Sequence, residues 1–190
     1  EMCIRDRYIE ETMKQGVELK DASNDDIEKA LERLNKLNAS KEGDQVAVLK
    51  EKMQQNMQNN FGVFRRGDLM EKGIEELAKT REEVNDIFLQ DKSAAFNTAR
   101  IEALEMQNLF EVAEATAITA NERKESRGAH ARDDFTERDD ENWLKHSIYY
   151  ADTKEVSKRD VNYRPKTVQA FQPMVRSCLL YTSDAADDVA

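Results

Sequence analysis

Three stretches of this chain repeat apolar residues at steps of three and four, and they limit its possible folds more than any other feature. From about Asp44 to Asn60 the stripe is Val46, Leu49, Met53, Met57 and Phe61, and Gly62 breaks it. A second begins near Asp68, a good N-cap by residue type, with Met70, Ile74, Leu77, Val84 and Phe88 opposite a face of Lys, Glu and Arg. The loop at 89–92 ends it. A third runs from about Asn97 to Arg123 with Ile101, Leu104, Leu109, Val112 and Ile118. It also carries Ala113, Ala115, Ala117 and Ala120, small enough to let a neighbouring backbone come close. Recurrence at this period means amphipathic helix, and a lone helix cannot bury its own stripe. Three of them joined by short loops predict an antiparallel three-helix bundle over 44–124. No fixed-period repeat suggests a solenoid. No run of heptads with flanking charge pairs suggests a long coiled coil.

The flanks read differently. Tyr8–Gln15 looks like the end of a helix stopped by Gly16. Ser23 can cap another helix, with Asp25 and Asp26 in its first turn and Ile27, Leu31, Leu34 and Leu37 at helical spacing. The segment 8–43 is therefore a helix end plus a linker helix. Beyond Ala129 the helical period stops. Residues 133–141 are a charged loop. Trp143–Tyr150 and Arg159–Tyr163 alternate as strands around a polar 151–158, a hairpin signal. Arg164-Pro165 stops the second strand, and 171–176 reads as an extended tail. Two strands alone are marginal in water, so the hairpin of the 125–176 region must pack on the bundle or on another domain. The expected class is mainly α with a small α+β appendage. Glu1–Arg7 and Ser177–Ala190 fit no pattern in between and resemble translated sequencing-adapter DNA. We read both as non-native tails and the chain as a piece of a longer protein.

Charge and motifs exclude several functions. A net charge of −10 and a pI near 4.9 argue against non-specific nucleic-acid binding, which needs a basic face. No apolar run approaches the roughly 20 residues that span a bilayer, so direct membrane insertion is not expected. Met2 is not followed by the apolar core of a signal peptide. Cys3 and Cys178 lie in the two tails and form neither a disulfide framework nor a metal knuckle. There is no Gly-x-Gly-x-x-Gly turn, no Gly-rich phosphate loop and no cysteine cluster for iron–sulfur ligation. His130 and His146 are too few for a metal site. The plainer role of His130 is a backbone hydrogen bond at a helix–loop junction, and that of His146, near Trp143 on the expected strand, is structural. Residues 133–141 lack the ligand order and central Gly of a calcium loop. Met53, Met57, Met70 and Met106 are core filler.

The basic residues Arg123, Lys124, Arg127 and Arg132 gather where the third helix should end, with Gly128 as a positive-φ C-cap. Such a cluster could hold an anion or pair with a partner's carboxylates. Its plainer role is to complement the helix end and pair with Glu125, Asp133 and Asp134. Arg65-Arg66, beside Gly67, reads as solvated loop.

The same region is where a resemblance appears. Lys124-Glu-Ser-Arg-Gly-Ala-His-Ala-Arg-Asp-Asp-Phe135, followed by Arg138-Asp-Asp-Glu-Asn-Trp-Leu-Lys-His-Ser147, resembles the C-terminal region of the succinate dehydrogenase/fumarate reductase flavoproteins. Ser23-Asn-Asp-Asp-Ile-Glu28, Met57-Gln-Asn-Asn-Phe-Gly-Val-Phe-Arg65, Gly67-Asp-Leu-Met70, Phe96-Asn-Thr-Ala-Arg100, Glu102-Ala-Leu-Glu-Met-Gln-Asn-Leu109 and Val161-Asn-Tyr-Arg-Pro-Lys166 follow that family in order. So does Phe171-Gln-Pro-Met-Val-Arg-Ser177.

The resemblance implies a parent that carries FAD in an upstream domain and oxidises succinate to fumarate. Histidine and arginine side chains there hold the dicarboxylate. Electrons pass to an iron–sulfur subunit and, through membrane anchor subunits, to quinone. It implies a peripheral place on the cytoplasmic face of a bacterial inner membrane, or on the matrix side of the mitochondrial inner membrane. The flavin and substrate motifs of that family precede Tyr8. No catalytic, cofactor or metal role therefore transfers to this chain, and alone it should be inactive. Arg127, His130, Arg132 and Trp143 are the candidates for structure or docking. Fumarate reductase is the close alternative. Aspartate oxidase is more distant, and the hairpin and the Trp143–Ser147 region disfavour it. The alternative of a different class is a non-enzymatic acidic helical interaction module. It predicts a self-sufficient fold, whereas a piece of the enzyme predicts an exposed apolar patch.

Overall fold

The computed structural model describes residues 2–16, 20–164 and 169. The expected extended tail at 171–176, Pro165 and Cys178 lie outside the described residues. The chain divides into two compact units, Glu1–Ala39 and Ser40–Ala190. It is mainly helical with a small antiparallel strand pair, the class that the periodicities predict.

The first unit holds α1 (Met2–Lys14) and α2 (Asn24–Ala39). Gly16, at φ +72°, follows α1 where a left-handed residue is needed. The helix begins at Met2, so Tyr8–Lys14 is its end, as the sequence suggests, and it runs back through residues read as a foreign tail. Ser23 caps α2: its Oγ accepts from the Asp26 N–H at 3.1 Å. Ile27 and Leu31 on α2 are exposed.

The second unit contains α3 (Val46–Asn60), β1 (Phe64–Arg65), α4 (Gly67–Asn85), α5 (Thr98–Glu122), β2 (Ala131–Arg132), α6 (Asp140–Trp143), β3 (Lys145–Tyr149) and β4 (Val156–Asp160). α3, α4 and α5 pack on one another pairwise. Leu49, Met53 and Phe61 are buried with Met70, Leu77 and Val84. α3 and α4 run antiparallel: Lys52 bonds Glu83 at 2.9 Å, while Asn56 Nδ2 donates to the Gly73 carbonyl at 2.9 Å. Gly73 permits the close approach. A Cβ there would lie 2.4 Å from Phe61 Cε2 and 2.7 Å from Asn60 Cβ.

Four expectations of detail are corrected. The N-cap of α4 is Arg66, and Asp68 lies inside the first turn, paired with Arg66. The buried face of α5 is Ala103, Met106, Phe110, Ala113, Glu114, Ala117 and Ala120, whereas Ile101, Leu109 and Val112 are exposed. The alanine face wins because it lets the neighbouring helices close around Met106 and Phe110 at interior density. Trp143 ends the short helix α6 and is not on a strand. Its first turn is capped by Asp139, whose carboxylate accepts from the Asn142 N–H at 3.0 Å. The second hairpin strand is Val156–Asp160, in register from Lys145↔Asp160 to Tyr149↔Val156. It starts earlier than expected because the turn is short. Tyr150 N–H reaches the Glu155 carbonyl at 3.0 Å, with Lys154 left-handed at φ +57°.

Candidate functional site

The basic cluster is built where α5 stops. The helix ends at Glu122, and Arg123 already has extended backbone. Gly128 does adopt positive φ (+58°), but five residues past the C-cap. It sits instead in a tight turn: Arg127 N–H meets the His130 carbonyl at 2.8 Å, and His130 N–H meets the Arg127 carbonyl at 3.0 Å. The chain then returns beside β1. Phe64 pairs with Ala131 and Arg65 with Arg132, in a parallel pair that periodicity did not foresee. The segment after α5 is thereby pinned to the connection between α3 and α4.

Glu125 is the centre of the cluster, with 0% of its surface exposed. Its carboxylate accepts from Arg123 Nη1 at 2.6 Å, Arg127 Nε at 2.8 Å and Nη2 at 3.0 Å, and the Asp139 N–H at 2.9 Å. Burial pushes its pKa up, but these donors, Arg127 foremost, outweigh burial and leave it below the ordinary carboxylate value. Arg127 also reaches Asp140 at 2.6 Å. Arg132 forks onto Asp134 at 2.8 and 2.6 Å, and its Nη1 donates to the Asn121 carbonyl at 2.9 Å. That last bond satisfies an end carbonyl of α5. The Arg132 fork, helped by the Gly67 N–H, holds Asp134 down at about 2. Lys124 is exposed.

Trp143 is buried between two cations, with Arg123 5.2 Å and Lys158 3.4 Å from its ring centre. Arg123 also donates to the carbonyls of Trp143 at 2.8 Å and Lys145 at 2.6 Å, and to Ser147 Oγ at 3.2 Å. One guanidinium thus ties α5, Glu125 and the hairpin together.

Arg65 is not a solvated loop residue. It is half-buried in β1, its Nε donates to the Phe61 and Gly62 carbonyls, and its Nη1 lies 2.8 Å from His130 Nδ1. A guanidinium only donates, so Nδ1 of His130 accepts. His130 Nε2 carries the proton, 3.0 Å from the Arg123 carbonyl. The imidazole is neutral. Burial lowers its pKa first, and the charges of Arg65, Arg132 and Arg123 add to that. Arg66, by contrast, is exposed and paired with Asp68.

A second buried carboxylate was overlooked in the periodicity. Glu114 faces inward on α5 and bonds Arg81 on α4, Lys154 Nζ at 2.7 Å and Tyr149 OH at 3.4 Å. The signal was present: an acid on the alanine stripe, three and four positions from Ala117 and Phe110. Nothing in the arrangement resembles an activated nucleophile. Among the described residues no group of His, Cys, Asp and Glu could hold a metal ion.

A family model described as fumarate reductase flavoprotein C-terminal region matches residues 50–178. The chain is 43% identical, over 89% of its length, to the succinate dehydrogenase flavoprotein subunit of Coxiella burnetii, and spans 29% of that relative. It is 33% identical, over 82% of its length, to the fumarate reductase flavoprotein subunit of Haemophilus influenzae, and spans 25% of it. A solved E. coli quinol fumarate reductase is similar with a TM-score of 0.67 and 33% identity, over 80% of this chain and 27% of that one.

Proposed function

The chain belongs to the succinate dehydrogenase/fumarate reductase flavoprotein family, and on that premise we propose that it is the helical and C-terminal part of the FAD-carrying subunit of a succinate:quinone oxidoreductase. The observation that carries this is the match over 50–178 together with 43% identity across most of the chain. In this reading the complete subunit oxidises succinate to fumarate, and FAD, when bound, supplies the two-electron acceptor. Electrons pass to an iron–sulfur subunit and then, through membrane anchors, to quinone. The complex sits at the cytoplasmic face of a bacterial membrane or the matrix side of the mitochondrial inner membrane. No described helix is long and apolar enough to cross a membrane.

This chain carries no Gly-x-Gly-x-x-Gly turn of the kind that seats a dinucleotide, and we assign no flavin step to its residues. Its part is support. The region 44–124 is the helical support, 125–176 the C-terminal region, and 8–43 the link to the flavin domain. In this reading 1–7 and most of 177–190 are foreign to the subunit, the family match reaching residue 178. Exposed Ile101, Leu109 and Val112 on α5 favour this reading over a self-sufficient module. Leu109 and Val112 line an open groove of about 640 Å³ with Val46, Ala47 and Met106. More than two-thirds of the Coxiella relative's length lies outside this chain, and that remainder is the occupant we assign to the groove.

Recovering the coding sequence upstream of Tyr8 tests the assignment. A dinucleotide fingerprint and the family's histidine and arginine substrate motifs are expected in frame, followed by succinate-dependent dye reduction by the complete subunit. An unrelated domain there overturns it. The Haemophilus and E. coli likenesses favour a second direction, fumarate reduction, which the ratio of forward to reverse rates decides. Arg127, His130, Arg132 and Trp143 serve structure or docking in this reading. Arg127→Ala in the complete subunit should lose assembly first. Intact assembly with lost turnover would contradict that role.

A further inference from the structure

Almost every arginine of the basic cluster has a carboxylate against it, and the exception points to a ligand. Arg123 and Arg127 share Glu125, Arg132 has Asp134, and Arg138 has Asp140. Arg65 meets two carbonyls and a neutral imidazole, and no ion pair of this side chain occurs among the described residues. Burial alone lowers its pKa, with no carboxylate acting against it. A half-buried cation without a counter-ion is costly in a chain whose net charge is −10.

Arg65 lines an open pocket of about 300 Å³ between β1, the last turns of α5 and the start of β3. Arg123, His130, Lys145, His146 and Ser147 line it too, and no carboxylate does. Arg65 Nη2 makes no hydrogen bond among the described residues. Ser147 Oγ accepts from Arg123 Nη2 at 3.2 Å, which leaves its own proton to donate. The Lys145 side chain is 36% exposed, and its Nζ lies 2.9 Å from Asp160. His130 accepts from Arg65 on one nitrogen and is held on the other by the Arg123 carbonyl, so it fixes the guanidinium plane.

We propose that this pocket binds a single oxyanion, a carboxylate or phosphate group, through Arg65, Ser147 and Lys145. Anion binding here does not depend on the flavoprotein assignment above. A planar guanidinium beside a hydroxyl and an ammonium suits two oxygens of one such group. The source is either a free small anion or an acidic side chain of a docked polypeptide, and the two bind with different probes.

The test is amide and imidazole NMR of the 190-residue chain at constant ionic strength. Sodium phosphate is titrated in one arm and N-acetyl-glutamate amide in the other, against sodium chloride. Saturable shifts at Ser147, His146 and the His130 imidazole are expected. Response to phosphate assigns a free anion, and response only to the glutamate derivative assigns a protein side chain. Lys145→Gln should weaken the response about two- to fivefold. Arg65→Gln should abolish it with α3–α5 amide shifts preserved. If Arg65→Gln does not fold, the Lys145→Gln titration decides alone. Non-saturating shifts, or identical titrations of the wild type and Lys145→Gln, overturn the proposal.

Discussion

Glu125 shows how much one residue can hold. It is a charge with no exposed surface, and three cationic or amide donors from two segments converge on it. Breaking a buried pair from one side leaves uncompensated charge, so Glu125→Ala should destabilise the chain by about 3–5 kcal/mol in urea unfolding. A loss below about 1 kcal/mol would mean that Arg123 and Arg127 find water instead. His130 makes a different statement, about pH. Its folded pKa lies below the ordinary 6.5, so the unfolded chain binds the proton more readily. The stability it contributes is complete above pH 6.5 and is lost as pH falls through the folded value. Unfolding free energy should therefore decline below about pH 6.5, and less steeply in His130→Gln. Equal slopes for the two proteins would show that neither burial nor the charges of Arg65, Arg132 and Arg123 bear on this imidazole. Asp134 acts in the same direction lower down, with stability present above its unfolded value of 3.8 and lost toward about 2.

At the scale of elements, the approach of α3 to α4 depends on a missing side chain. Gly73→Ala would raise helix propensity by about 1 kcal/mol. Its Cβ would also meet Phe61 and Asn60 well inside contact distance. Overpacking of this kind costs about 1–3 kcal/mol, so the net effect should be destabilising, seen as a lower thermal midpoint. A raised midpoint would show that Phe61 can swing away. The hairpin of β3 and β4 relies on α5 through Glu114 and Arg123. Glu114 is pushed up by burial and drawn down further by Lys154 and Arg81. Glu114→Ala should thus accelerate amide exchange in β3 and β4 more than in α3. Uniform acceleration would mean that the hairpin and helices open as one unit.

For the whole molecule, the exposed apolar side of α5 is the feature that a free-standing domain would not retain. Val112→Asp, at a position 62% exposed, should change the stability of this chain by no more than about 0.5 kcal/mol. In the complete subunit the same change should reduce assembly, measured as co-purified flavin and partner chains. Normal assembly would show that α5 faces water there as well.

The three long helices, the Ser23 cap, Met53, Met70 and Met106 in the core and a C-terminal hairpin were legible in the order of residues, although the second helix stops at Asn85 and not at Phe88, and Met57 is only half-buried. Local period and capping chemistry suffice for these, since each depends on neighbours three or four positions away. The partners Glu125 and Asp134 were legible too, because the acids stand beside the arginines in the chain. What the order of residues could not decide was which of two apolar faces α5 would bury. Both satisfy the helical period, and only the fit of alanines against α3 and α4 chooses between them. Nor could it foresee that Arg65 would meet His130 across 65 positions, or that Glu114 would reach Lys154 across 40. Those contacts follow from the parallel pairing of β1 with β2 and the seating of the hairpin on α5. Long-range packing sets both, and it alone turned a surface arginine into a half-buried cation without a counter-ion.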